Sequence, residues 1–304
     1  MSLPRKTILI ILAFFAIYVI WGSTYLLNKI AVTEIPPFFV ATIRFTSAGM
    51  LIFIIAKFLK RSLKISRKQL INCTIAGFLF LVYGNGVFIW ALKYVDSGFA
   101  ALEASTQPLF VLLLMRLIDG KKIQQKSIIG IILGVVGMYL LVSQKELVSD
   151  EGSLLGMFMI LTCVLSWSYA SVFVSKADLP ANFLVSTGYQ MISAGLLLAI
   201  TSLFLGEDWI SPLQWSASVQ WSLGLLIIFG SIVAFTAFNY LLKTVSTEKV
   251  STSAYVNPVI AIFLGWFILD EQLNVQTIIA AAVLLTGVYF ITSKKKFRIR
   301  FIGR

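Results

Sequence analysis

Glu103 is the residue whose type and position first require an explanation. It stands inside an apolar run and is followed by Gln107 and Pro108. A carboxylate at membrane depth is costly against lipid, so Glu103 is expected to face a cavity or a partner. Three roles fit it. It can exchange a proton or recognise an amine, it can pair with Arg44 or Lys29, or it can touch water at the end of its span. On a continuous helix Gln107 shares the face of Glu103, and Pro108 leaves the carbonyl of Ala104 without its usual donor. Arg44, well inside an earlier apolar run, can snorkel, pair with a carboxylate, or meet an anionic substrate group.

Other candidates are aromatic or neutral and polar. Trp21-Gly22-Ser23 and Ser166-Trp167-Ser168 each set an indole among small residues. That arrangement suits an interfacial belt, and it also suits a hydrophobic wall or gate between closely packed helices. Tyr83, Asn85 and Trp90 lie in one run, Asn239 and Tyr240 in another, and Tyr255 and Asn257 in a third. An apolar cavity with scattered hydrogen-bonding groups fits a small amphipathic organic solute better than a bare ion.

The elements that position these residues follow from composition. Of the 304 residues 59% are hydrophobic and 12% charged, against roughly 25% charged residues in ordinary soluble proteins. The mean hydropathy is +0.92. So little charge cannot cover a soluble core, and lipid is the expected solvent. Apolar runs predict ten spans, at 7–28, 37–56, 70–92, 97–117, 127–144, 153–174, 182–205, 219–242, 250–269 and 274–292. Arg5 and Lys6 precede a run that resembles a signal peptide, but it continues without a convincing cleavage site and is read as a retained first helix.

Charge orients this bundle. With a cytoplasmic N-terminus, twenty-one basic residues fall in inside segments, and only Lys29, Lys93 and Lys145 fall outside. Both termini are then cytoplasmic, and the basic tail 293–304 is expected to anchor on anionic lipid, with RNA or a regulatory partner as alternatives. The net charge of +12 otherwise interrupts apolar segments and forms no sustained basic face, so no nucleic-acid partner is expected.

Several activities are excluded by missing residues. The chain has no His and no CxxC, and Cys73 and Cys163 sit in separate apolar runs. A Ser-His triad, the common zinc motifs and a disulfide framework are therefore not expected. There is no GxxxxGK[ST], no aspartate cluster for magnesium and no filter motif. No cofactor or metal is expected. A membrane enzyme or a channel is the alternative from a different class.

The sequence also repeats. Residues 91–141 align with 241–291 without a gap, pairing Ala104 with Ala254, Pro108 with Pro258, Gly137 with Gly287 and Tyr139 with Tyr289. In this register Glu103 meets Ser253 and Gln107 meets Asn257. A neighbouring register pairs Trp21 with Trp167 and Arg44 with Gln190. Two five-span units follow, 7–144 and 153–292, and an odd span number inverts the second unit in the membrane. Such repeats permit alternating access to a central site. Gly130 and Gly134 form a GxxxG spacing expected to pack inside one unit, with a weak homodimer as the other use.

Trp21-Gly22-Ser23-Thr24, Arg44-Phe45, Ala100 to Glu103 through Gln107-Pro108, and the glycine-rich 130–137 segment resemble the EamA family of the drug/metabolite transporter superfamily. Tyr255-Val256-Asn257-Pro258 and Asp270-Glu271 look like the counterparts in the second unit. The resemblance implies an all-α polytopic protein with two inverted five-helix repeats, in a bacterial inner membrane. It implies a cavity lined mainly by spans one, three, four, six, eight and nine, with five and ten outside. It also implies export of amino acids, drugs or related metabolites, and a structural or gating role for Arg44. The inverted repeat and the carboxylate inside a span make proton antiport through Glu103 the expected mechanism, with facilitated diffusion or exchange on the same scaffold as the alternative. Reporter fusions test the orientation: a reporter fused after residue 292 should be active only in the cytoplasm, and one inserted at 208 only outside it.

Overall fold

The computed structural model describes residues 5–120, 125–143 and 152–292; the basic tail and the loop residues Lys121, Lys122 and Lys145 lie outside the described residues. Ten helical bodies follow one another among the described residues. Helix α1 (5–31) joins Arg5–Phe15, a π-helical Ala16–Ile20 and Trp21–Ala31. Helix α2 is Pro37–Phe58, and α3 (Arg67–Ala91) has a π-helical centre at Phe78–Val87. Helix α4 (Ser97–Asp119) is broken between Ala104 and Gln107, and α5 is Gln125–Val142. Helix α6 is Ser153–Lys176 and α7 is Phe183–Phe204. Helix α8 (Ala217–Thr244) has its own π-helical centre, Leu226–Phe235. Helix α9 (247–269) passes through a 3-10 stretch, Ser251–Tyr255, before Asn257–Leu269, and α10 is Val275–Thr292.

Helices α1 to α4 and α6 to α8 are seven that are long and apolar enough to cross a membrane by length and composition. The ends follow local sequence. Pro37 opens α2 at a position where a missing N–H costs nothing. Ser66 and Gln69 close a capping box at the start of α3. The side chains of Asn182 and Ser216 accept from the first turns of α7 and α8. Gly120 ends α4 with φ of 64°, a left-handed conformation that glycine adopts without strain.

Two helix pairs frame the bundle, α2 on α7 and α5 on α10. Both rely on missing side chains. A Cβ at Gly49 would lie 2.8 Å from Ile192, and one at Gly195 would overlap Thr46. In the other pair a Cβ at Gly287 would lie 2.8 Å from the carbonyl of Gly130 and 3.0 Å from the amide of Gly134. The GxxxG glycines thus receive α10, whereas the sequence suggested packing within residues 7–144. The reason is that α5 faces α10 along its length and α10 brings its own small residue to the contact.

Carboxylates fasten one end of the bundle. Glu207, from the α7–α8 loop, accepts from the amides of Phe38 and Phe39 at the start of α2, at 3.1 and 2.8 Å. Glu271, after α9, accepts from the amide and hydroxyl of Ser97 and the amide of Gly98, at 2.8, 2.7 and 3.0 Å. Each satisfies orphan donors at the positive end of a helix. Lys29 Nζ donates to the carbonyls of Leu92 and Val95, closing the end of α3. The hydroxyl and the amide of Ser216 donate to Glu34, and these hydrogen bonds hold its carboxyl below the usual carboxylate range. Elsewhere, Lys176 pairs with Asp119, and Gln69 and Asn72 donate to Asp178.

The packing makes a paired prediction. Gly195→Ala forces Thr46 to move and should destabilise the protein by about 1–3 kcal/mol. Gly224→Ala has open space around its Cβ and should be neutral or stabilising through helix propensity. Thermal unfolding in detergent checks both.

Candidate functional site

The breaks in the helices gather around one cavity. Its wall is built from Trp21, Thr24, Tyr25 and Asn28 of α1, Arg44 and Phe45 of α2, and Leu81, Gly84, Asn85 and Phe88 of α3. Ala101, Ala104, Ser105 and Gln107 of α4 and Cys163, Val164 and Trp167 of α6 continue it. Gly230 and Phe235 of α8, with Ser253, Ala254, Asn257 and Pro258 of α9, complete it. Helices α1, α3, α4, α6, α8 and α9 contribute, and α2 joins them through Arg44 and Phe45. The cavity has a volume of about 100 Å³. That is below the roughly 300–1,000 Å³ of drug-sized sites, so this conformation suits a small solute.

Trp21 and Trp167 meet edge to face at 5.6 Å. Phe238 lies 4.9 Å from Trp21, and Phe80 lies 4.8 Å from Trp167. Trp21 Nε1 donates to the carbonyl of Gly230 at 3.2 Å, inside the π-helical centre of α8. Trp21 and Trp167 bring this cluster to the cavity wall, and Trp21 anchors an irregular backbone at the same time.

Asn257 anchors another break. With its amide turned to satisfy both contacts, its nitrogen donates to the carbonyls of Ile17 and Tyr18, at 3.0 and 2.8 Å. Those carbonyls lie in the π turn of α1, where the regular helical ladder is shifted. The side chain of α9 thus supplies donors where α1 departs from α-helical geometry.

Arg44 is 3% exposed and lies on the wall. Its Nε donates to Ser231 Oγ at 2.8 Å, and its Nη1 to Oδ1 of Asn28 and of Asn85, both at 3.3 Å. Its guanidinium stacks on Phe45 with 4.8 Å to the ring centre. All of these partners are neutral.

Glu103 lies elsewhere. It is 1% exposed, is not part of the cavity wall, and its Oε2 is buried without a hydrogen-bond partner. It pairs with neither Arg44 nor Lys29, whose hydrogen bonds go to the groups named above. Its expected shared face with Gln107 is lost because α4 turns at Ser105–Thr106, so Gln107 reaches the cavity and Glu103 does not. The hydroxyls of Ser105 and Thr106 fold back onto the carbonyls of Leu102 and Glu103 at that turn.

Of the other sequence candidates, Trp21, Asn85, Gln107, Trp167 and Asn257 are on the wall, and Tyr83, Trp90 and Asn239 are off it. Trp90 packs on Phe38 at 5.7 Å, and the carbonyl of Tyr83 accepts from Cys163 Sγ at 3.4 Å. Asn239 belongs to a buried network with Gln190, Ser186 and Thr187. The side chain of Tyr255 lies outside the described residues. Thr24, Tyr25, Asn28, Phe88, Ser105 and Ser253 were not singled out from sequence. The signal was present in α1 and α3: Trp21, Thr24, Tyr25 and Asn28, and likewise Leu81, Gly84, Asn85 and Phe88, follow the spacing of one helix face.

A model of the EamA-like transporter family matches residues 8–143 and again 154–293. The chain is 36% identical over 285 residues to the uncharacterized inner membrane transporter YedA of Escherichia coli strain K12, covering 93% of this chain and 90% of that one. It is 26% identical over 278 residues to the S-adenosylmethionine/S-adenosylhomocysteine transporter of Chlamydia muridarum, covering 88% and 86%. A solved crystal structure shares the fold with a TM-score of 0.68 at 19% identity, over 94% of this chain and 96% of that one.

Asn257 gives the prediction that tests this geometry. Asn257→Ala leaves the carbonyls of Ile17 and Tyr18 without their donors and should lower stability by about 1–3 kcal/mol for each group left unsatisfied. A fall in the thermal unfolding midpoint measures it, with Asn274→Ala in the α9–α10 connection as the control for a lost local cap.

Proposed function

Because the chain belongs to the EamA-like transporter family, we propose that it is a secondary transporter of the bacterial inner membrane that exports amino acids or related small amphipathic metabolites. The observation that carries this reading is the small cavity, part aromatic and part polar, enclosed where the helices of residues 8–143 meet those of 154–293. A catalytic centre is not needed to explain it.

The chain crosses the membrane ten times as two inverted five-helix units, with both termini cytoplasmic. Several observations support this arrangement. The family model matches twice over similar lengths. The helices α2 and α7, and likewise α5 and α10, pair with one another. Irregular backbone recurs in α3 and α8, and in α4 and α9. Rocking of one unit against the other opens the cavity first to the cytoplasm and then to the outside. The Chlamydia relative carries by name a derivative of an amino acid, which supports that substrate class.

Export against a gradient needs coupling, and Glu103 is the proton carrier in this reading. Its buried Oε2 has no protein partner to hold one charge state in place. Its position behind the wall favours a second reading, facilitated or exchange transport of another small solute, in which the carboxyl group takes no part.

Flux in proteoliposomes separates them. The purified protein should move amino acids saturably, and an inward proton gradient should accelerate their exit. Glu103→Gln should keep downhill flux and lose the response to the gradient. An unchanged response removes Glu103 from the mechanism, and no saturable movement of any solute would falsify the transport reading itself.

A further inference from the structure

We infer that Arg44 is the receptor for a carboxylate group, so that the solute carried in the cavity bears an organic anion beside an apolar body. This rests on the transport reading above and narrows its substrate class.

The argument begins with an unbalanced charge. A buried guanidinium needs an anion or a full set of acceptors, because the cost of removing it from water is several kcal/mol. Arg44 has no anionic partner among the described residues, and its three hydrogen-bonded partners, Asn28, Asn85 and Ser231, are neutral. Its Nη2 donates to no protein group, yet it is not among the buried polar atoms sealed off without a partner. Arg44 is part of the wall, and Nη2 is the guanidinium nitrogen that its protein neighbours leave for a solute there. Asn28 and Asn85, which also line the cavity, take Nη1, and Ser231 takes Nε, so the group is held in place and the N–H groups of Nη2 are left for a ligand.

The protein contains its own control. Gln190 occupies the repeat position of Arg44 and is fully buried, away from the cavity. There a neutral amide suffices, donating to Ser186 and Asn239 at 3.1 and 3.3 Å while Asn239 donates to Thr187 at 3.2 Å. A merely structural demand at this place in the fold is therefore met without charge. The charge is present only on the copy that faces the cavity.

Two further features point the same way. Gln107–Asp119 and Asn257–Leu269 each begin at the cavity, with Gln107 and Asn257 on its wall, so the positive ends of two helix dipoles lie on the same space. Glu103, the carboxylate buried in α4, is off the wall, so among the described residues no acid lines the cavity to offset Arg44 or to select a cation.

The test compares matched ligands on the unmodified protein: valine against valinamide, and 3-methylbutanoate against 3-methylbutanamide. Binding is read from the thermal unfolding midpoint of the purified protein, and movement from proteoliposome flux. The carboxylate member of each pair should bind at least about tenfold more tightly than its amide partner, the scale of one charge-assisted hydrogen bond. Arg44→Gln should abolish the difference, and Arg44→Lys should keep part of it. Equal binding of both members overturns the inference without requiring any variant to fold. Saturable flux of tetraethylammonium with none of the carboxylates overturns it while leaving a carrier. Absence of flux and of binding for every solute overturns the transport reading along with it.

Discussion

Backbone released from the helical ladder inside an apolar bundle must find a partner, since neither lipid tails nor packed side chains supply one. In this protein the partners come from other helices. Trp21 of α1 donates to Gly230 in the π centre of α8, and Asn257 of α9 donates to Ile17 and Tyr18 in the π turn of α1. At the break in α4, Ser105 and Thr106 donate back to the preceding carbonyls. The irregular segments therefore occur where another element can satisfy them, and the cavity is the space these departures leave between them. Site and scaffold are in this sense one set of interactions.

The same constraint governs the ionisable groups. Glu207 and Glu271 sit at helix N-termini at one end of the bundle, where amides of α2 and α4 neutralise much of their cost. Lys29 is spent on two carbonyls at the end of α3. Arg44 differs because its acceptors are neutral, its Nη2 donates to no protein group, and the residue lines the cavity. The contrast with Gln190 makes the asymmetry between the two repeats chemically meaningful. One copy keeps a closed neutral network, and the other holds a cation where a solute can reach it.

Much of this was readable in the residues. The apolar runs located the ten helical bodies, because lipid requires long uninterrupted stretches and the loops carry the charge and the prolines. The repeat register brought Trp21 and Trp167 together on paper, and the rings do meet. What escaped was anything that depended on departures from a regular helix. Glu103 was placed beside Gln107 on the premise of 3.6 residues per turn, and the turn at Ser105–Thr106 separates them. Trp90 and Asn239 had suitable chemistry, but periodicity without a known facing direction could not tell cavity from core. Asn28 was overlooked although it continues the stripe from Trp21, because a lone amide in an apolar run carries no motif. The pairing of Gly130 and Gly134 with Gly287 needed the tertiary arrangement of α5 and α10.

The central claim is that one cavity between the two repeats is exposed in turn to each side of the membrane. Ser105 lies on its wall and is buried, which makes it a suitable reporter. With Cys73 and Cys163 replaced by serine, Ser105→Cys would be treated with a membrane-impermeant thiol reagent in right-side-out and in inside-out vesicles. The account predicts labelling from both sides, with a transported solute slowing labelling in each. Labelling from one side only, unaffected by any solute that the protein moves, would contradict it.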